Sequence, residues 1–104
     1  MVKEQALLVN FSTELNDITD LHKLEDKLRD RIIDKDIGEF DGHAIDLELK
    51  EGTIYMYGPS TDILYAGVKD ILENEILLNG AIAVLRYGEP DNDCEEKKIT
   101  IKAL

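Results

Sequence analysis

The sequence lacks the features that identify secreted, membrane-bound or disulfide-stabilised proteins. It has one cysteine, Cys94, in 104 residues, so no internal disulfide can form, and no histidine lies nearby in sequence to activate its thiol. The first residues lack the basic stretch and apolar run of a signal peptide. The longest apolar run, 76–85, is interrupted by Asn79 and Gly80 and is far shorter than the ~20 residues that span a bilayer. These absences predict a soluble cytoplasmic protein with a single domain over residues 1–104.

Basic residues are scarce, which excludes two classes of partner. The chain has 12 lysines and arginines against 23 aspartates and glutamates, so its formal net charge is −11. Nucleic acids and anionic membranes carry the same sign of charge and are repelled, so neither is an expected partner. A cationic protein would be attracted, with association accelerated by roughly 10–10³-fold at low salt. The simpler alternative is that the acidity only keeps a small domain soluble.

Motifs for catalysis and cofactor binding are missing as well. There is no glycine-rich phosphate loop, Cys/His pair or cofactor motif, so we expect no enzyme activity, no cofactor and no metal. The segments starting at Asp34 and Asp91 resemble the beginning of a calcium loop but lack the glycine and glutamate required further on. Glu39 and Asp41 could act as paired carboxylates, and together with His43 they could form a metal site of low specificity.

Hydrophobic spacing predicts an α+β fold. Strands are expected at 5–11, 44–49, 53–57, 81–87 and 98–103, with helices at 19–34 and from Ser60 onward. The first strand is apolar on both faces, which is typical of a central strand. The first helix should bury a stripe formed by Leu21, Leu24, Leu28 and Ile32. This order favours a ferredoxin-like β-α-β-β-α-β antiparallel sheet, with both helices on one face and an extra C-terminal strand.

The charged residues of the first helix predict a solvated surface. Glu25 and Arg29 are spaced four residues apart, which favours an ion pair on that surface. His22 falls on the polar side of the first turn, as an ordinary titrating surface histidine would.

The stretch 38–59 predicts a β-hairpin with an unusual surface. Ile45, Leu47 and Leu49 form an aliphatic face, and a turn is expected at Lys50-Glu51-Gly52. The opposite face should carry two carboxylates beside two tyrosines: Asp46, Glu48, Tyr55 and Tyr57. Arg86 of a neighbouring strand is expected on the same face. The tyrosines are interpreted either as interface anchors or as half-buried residues packed on neighbouring strands.

Three short runs carry a resemblance to a known class of protein. GEFDGH at 38–43, YMYGP at 55–59 and LRYG at 85–88 resemble a family of small acidic bacterial proteins. In size, acidity and element order the chain is also similar to immunity proteins of contact-dependent growth inhibition systems. The resemblance implies a cytoplasmic antitoxin that binds a cognate toxin domain, often a nuclease, and blocks its active site.

The charge argument agrees with that implication. A nuclease gathers cationic side chains around phosphate, and an acidic inhibitor can occupy the same groups. The residues expected to contact the toxin are Glu39, Asp41, His43, Asp46, Glu48, Tyr55, Tyr57 and Asp62. The acidic segment 89–96 is an alternative contact surface. The alternative function is a non-enzymatic acidic binding or regulatory module, with a homodimer formed through the sheet as one form of it.

Overall fold

Five strands and two helices are present in the described part of the chain, which in the computed structural model comprises residues 5–12, 19–45, 51–75, 78–88 and 95–102. In chain order they are β1 (Gln5–Ser12), α1 (Thr19–Lys35), β2 (Glu39–Ile45), β3 (Glu51–Gly58), α2 (Thr61–Glu73), β4 (Ile82–Arg86) and β5 (Glu96–Thr100). The predicted α+β class and the extra C-terminal strand are confirmed.

The strands form one antiparallel sheet in the order β2-β3-β1-β4-β5. β1 lies in the centre, between β3 and β4, as its two apolar faces predict. Leu7 and Val9 point to one side of the sheet and Ala6 and Leu8 to the other, and all four are buried. β2 and β5 are the two edge strands.

Both helices pack on the same face of the sheet and enclose the main core. All four residues of the predicted α1 stripe are fully buried: Leu21, Leu24, Leu28 and Ile32. Leu64, Val68 and Leu72 of α2 are fully buried as well. They pack against β-strand residues such as Leu7 and Met56. Within the described ranges, neither helix combines the length and apolar character needed to cross a bilayer.

The other face of the sheet carries a smaller apolar cluster. Ala6, Leu8 and Val84 are buried there, and Tyr55 and Tyr57 are half-buried against them. Each tyrosine lies opposite a β1 residue of this cluster, Tyr55 opposite Leu8 and Tyr57 opposite Ala6. The tyrosines therefore pack on neighbouring strands, and their rings are held in place by those contacts.

The predicted hairpin is present, but its strands start and end at other residues than the sequence pattern predicts. β2 begins at Glu39, earlier than the predicted 44–49, and Ile45 pairs with Gly52. Glu51 and Gly52 lie in β3, so the turn predicted at 50–52 is wrong. The connection is 46–50, which includes Asp46 and Glu48 and lies outside the described residues. The strand was predicted from the alternation of Ile45, Leu47 and Leu49. That pattern gave no sign that residues 39–43 also pair with β3.

Arg31 of α1 links the two helices through two hydrogen bonds. The Arg31 guanidinium donates to the Gly67 carbonyl oxygen at 3.0 Å and to Asp70 Oδ1 at 2.7 Å. The hydrogen bond from Arg31 holds the pKa of Asp70 below its ordinary value. Because a lowered carboxyl pKa stabilises the folded state only while the group is ionised, this contribution is present above the ordinary aspartate pKa and is lost as the pH falls through the lowered one.

At the start of α2, one buried hydroxyl has no hydrogen-bond partner among the described residues. Ser60 caps the helix, as predicted, with its Oγ accepting from the Ile63 N–H at 3.3 Å. The next residue, Thr61, is fully buried and its backbone N–H donates to Gln5 Oε1 at 2.9 Å, but its Oγ1 is unpaired. A buried unpaired hydroxyl lowers stability.

Thr61→Val should therefore stabilise the protein by about 1 kcal/mol, because valine keeps the shape and removes the unpaired hydroxyl. Urea unfolding of both proteins measures the difference. Thr61→Ser is the matched control, since it keeps the hydroxyl and removes a methyl group, and it should lose about 1 kcal/mol. A destabilised valine variant would mean that the hydroxyl is hydrogen-bonded.

Candidate functional site

A cavity of about 510 Å³ opens between α1 and the edge strand β2. Its walls contain six ionisable side chains and one glycine: His22, Glu25, Asp26, Arg29, Asp41, Gly42 and His43. Part of this set comes from α1 and part from β2, so the cavity exists only because the edge strand packs beside the helix.

Glu25 is the buried acid of this cavity. It follows Leu24 at the flank of the apolar stripe of α1, and only 5% of its surface is exposed. Burial of a carboxylate requires a hydrogen-bonding partner. The partner predicted from helix spacing, Arg29, is wrong, because Arg29 pairs instead with Asp26, at 3.0 Å.

The partner of Glu25 is His43 on β2. The His43 Nδ1 and Glu25 Oε2 atoms are 2.7 Å apart. An ionised carboxylate can only accept, so in that state the His43 Nδ1–H donates and the ring orientation is fixed. His43 points toward the helices because β2 has a bulge between Phe40 and Gly42, and Gly42 adopts a φ of +124° there.

His22 completes the group from the first turns of α1. It precedes Glu25 by three residues, which places both side chains on the same side of the helix. The ring centroids of His22 and His43 are 6.1 Å apart, and the rings are tilted by 47°. One potential ligand atom from each of His22, Glu25 and His43 lies within 4.8 Å of the other two. We call these three residues the His–Glu–His cluster.

The basic residue of the cavity is held by other groups. The Arg29 guanidinium donates to Asp26 Oδ1 at 3.0 Å and lies over the Phe40 ring, 5.2 Å from its centroid. Among the residues that line the cavity, Arg29 is the only lysine or arginine, whereas Asp26 and Asp41 add two carboxylates. The cavity therefore has an excess of negative charge beside the cluster when its acids are ionised.

The structure places the described contact residues of β2 and β3 at one edge of the sheet but divides them between its two faces. Asp41 and His43 line the cavity on the helix side. Glu39 lies opposite Tyr57, and both tyrosines pack on the apolar cluster of the other face. Asp46 and Glu48 fall outside the described residues.

Asp62 lies apart from this region. It sits in the first turn of α2, where its Oδ1 accepts a hydrogen bond from the Tyr87 hydroxyl at 2.7 Å. That bond raises the pKa of Tyr87. A raised pKa means that the tyrosine stabilises the fold while it is protonated, and this contribution is lost only as the pH rises through the raised value.

Sequence reasoning did not identify His22 and Glu25 as part of the site. Two signals were available: their spacing of three residues on one helix, and the fact that the chain has two histidines in total. The missing information was the position of β2 beside α1, which no spacing pattern specifies.

Chemically, two imidazoles and one carboxylate are the donor set of many sites for first-row transition metals. A second cavity, of about 580 Å³, lies at the C-terminal end of β1, and Glu51 is the one ionisable residue among those that line it.

No protein-family model, no curated protein and no solved structure matches this chain. Functional conclusions therefore depend on the side-chain arrangement and charge of the chain itself.

Proposed function

We propose that the protein is an immunity protein, a cytoplasmic antitoxin without enzyme activity. It would bind a basic nuclease toxin domain and neutralise it by covering the active site with an acidic surface. The supporting observation is the placement of predicted contact residues on two neighbouring strands. Glu39 on β2 lies opposite Tyr57 on β3, and Asp41 precedes Gly42, which lies opposite Tyr55. Glu39 and Tyr57 are thus paired at one edge of the sheet, while Asp41 lies on the same strand and lines the cavity beside α1. We call this edge the β2 surface.

The charges of the two sheet edges favour the β2 surface as the contact region. The exposed residues of β2 include Glu39 and Asp41, whereas those of β5 include Lys97 and Lys98. A basic partner is attracted by the first edge and repelled by the second. The overall charge of −11 adds a long-range attraction to the same partner.

The tyrosines would supply the contact area that charge alone does not give. Charges at the rim of an interface mainly change the association rate, and tight complexes need aromatic anchors near the centre. Tyr55 and Tyr57 are half-buried against the apolar cluster of Ala6, Leu8 and Val84. Because their rings are already held by these contacts, less conformational entropy is lost when a partner binds them.

At the level of topology, we propose that the fold is ferredoxin-like. The order β2-β3-β1-β4 and the antiparallel pairing of β1 with both neighbours support this assignment, with β5 as an addition at the edge. Such folds carry many unrelated functions, so the topology adds no weight to the immunity proposal.

Glu39→Lys should slow association with the toxin domain by about 10-fold at low salt, because it places a positive charge on the β2 surface. Asp30→Lys is the matched control. It changes the net charge by the same amount, but Asp30 lies on α1 in a pocket with Arg31 and Ile71, on the side facing α2. Stopped-flow or surface-plasmon-resonance measurements at two salt concentrations would compare the rates. Equal slowing by both variants would show that only total charge matters and would contradict a contact through β2.

The function itself is tested with the large toxin gene expected immediately upstream in the genome of the native bacterium. Cells that express its toxin domain should survive when this protein is co-expressed, and the two proteins should co-purify. Absence of such a gene, or no protection, would reject the immunity proposal. If sedimentation instead shows a stable homodimer with no bound toxin, the alternative binding module is favoured.

A further inference from the structure

We propose that His22, Glu25 and His43 bind one divalent first-row transition-metal ion, with Zn²⁺ as the representative. The first argument is the use of histidine in this chain. It has two histidines, and the fold brings both, from α1 and from β2, to the same buried carboxylate. This convergence depends on tertiary packing and is not explained by the helical pattern of α1.

The distances suit a metal after small side-chain rotations. Ligand atoms of the three residues lie within 4.8 Å of one another. Zinc bonds of about 2.0–2.1 Å in a tetrahedral site place neighbouring ligand atoms roughly 3.3 Å apart. The His43 Nδ1 to Glu25 Oε2 distance of 2.7 Å would have to lengthen slightly, while His22, whose ring is exposed, would move closer.

The charge of the cavity also suits a cation. Glu25 is buried and interacts with a histidine, and the cavity's guanidinium, Arg29, is engaged by Asp26 and by the Phe40 ring. A divalent ion would offset the negative charge of Glu25, Asp26 and Asp41 in this cavity.

The donor set selects the class of ion. Two imidazole nitrogens and one carboxylate oxygen favour zinc and its first-row neighbours, whereas magnesium and calcium prefer oxygen ligands alone. Three protein ligands would leave a fourth position open toward the cavity for water or another small ligand. The proposal is independent of the immunity function, since neither needs the other to hold.

The test uses metal-free, tag-free protein with Cys94→Ser as the background, so that neither a tag nor the thiol binds the ion. Zn²⁺ is titrated while the imidazole resonances are followed by ¹H–¹⁵N NMR, and stoichiometry is measured by calorimetry. We expect one zinc per chain and simultaneous shifts of both histidine spectra, with no change on addition of Mg²⁺. Histidine spectra that do not move, or that move independently of each other, would overturn the proposal.

His22→Ala separates metal binding from folding, because His22 is exposed and its loss opens no core cavity. It should weaken zinc binding by at least about 10–100-fold, the loss seen when even supporting groups around a metal are removed. The thermal unfolding midpoint of the metal-free variant should stay close to that of the parent, while its rise with added zinc becomes smaller. Asp30→Asn, on the same helix but outside the cavity, should bind zinc as the parent does. Unchanged zinc affinity in His22→Ala would reject this site.

Discussion

Gly38→Ala is expected to destabilise the protein by about 3–5 kcal/mol, through backbone strain together with overpacking. Gly38 immediately precedes β2 and has a φ of +158°. A β-carbon at this position would press directly against the Tyr57 carbonyl oxygen and would lie 3.1 Å from Leu64 Cδ2. Because that oxygen belongs to the backbone of a paired strand, it cannot move aside without disturbing the sheet.

Urea unfolding monitored by circular dichroism would measure the loss, with Gly80→Ala as the matched control. Gly80 also has a positive φ, of +85°, but no atom lies within 4 Å of the position its β-carbon would take. The control therefore isolates backbone conformation and should lose about 1–2 kcal/mol. If the two variants were equally stable, the close approach of Gly38 to β3 would contribute nothing, and the entry into β2 would not be fixed by that contact.

The parts of the fold that the sequence predicts well are those where burial repeats at a regular interval. The α1 stripe of Leu21, Leu24, Leu28 and Ile32 is such a case, since one helix face packs on one sheet. The centre of the sheet is another, because a strand that is apolar on both faces has to be covered on both sides. Ser60 was also predictable, because capping depends on local chemistry alone.

Strand pairing at the edge was less predictable for a physical reason. Alternation in a strand fixes which residues share a face but not where pairing starts, and one residue of bulge reverses the alternation. The bulge between Phe40 and Gly42 does this in β2, so His43 faces the helices. The His–Glu–His cluster depends on that reversal and on the packing of β2 beside α1. The spacing of residues along the sequence predicts neither.

Loss of the His43 ring should be more damaging to the metal-free protein than loss of the charge on Glu25. His43→Ala leaves a carboxylate that is 5% exposed without its hydrogen bond, and the expected destabilisation is about 2–3 kcal/mol. Glu25→Gln keeps the shape and one accepting oxygen, so its loss should stay within about 1 kcal/mol. Urea unfolding at neutral pH in the presence of a chelator measures both.

The double variant identifies the cause of the loss. If the buried, unpaired carboxylate is responsible, Glu25→Gln should restore part of the stability that His43→Ala removes, because a neutral amide is less unfavourable to bury than a charge. The two substitutions would then show a coupling energy of about 1–2 kcal/mol. Simple additivity would instead mean that His43 stabilises the fold through packing against α1 and not through its bond to Glu25. Since His43 Nδ1 lies 2.7 Å from Glu25 Oε2 and the carboxylate side chain is 7% exposed, we expect the coupling to dominate.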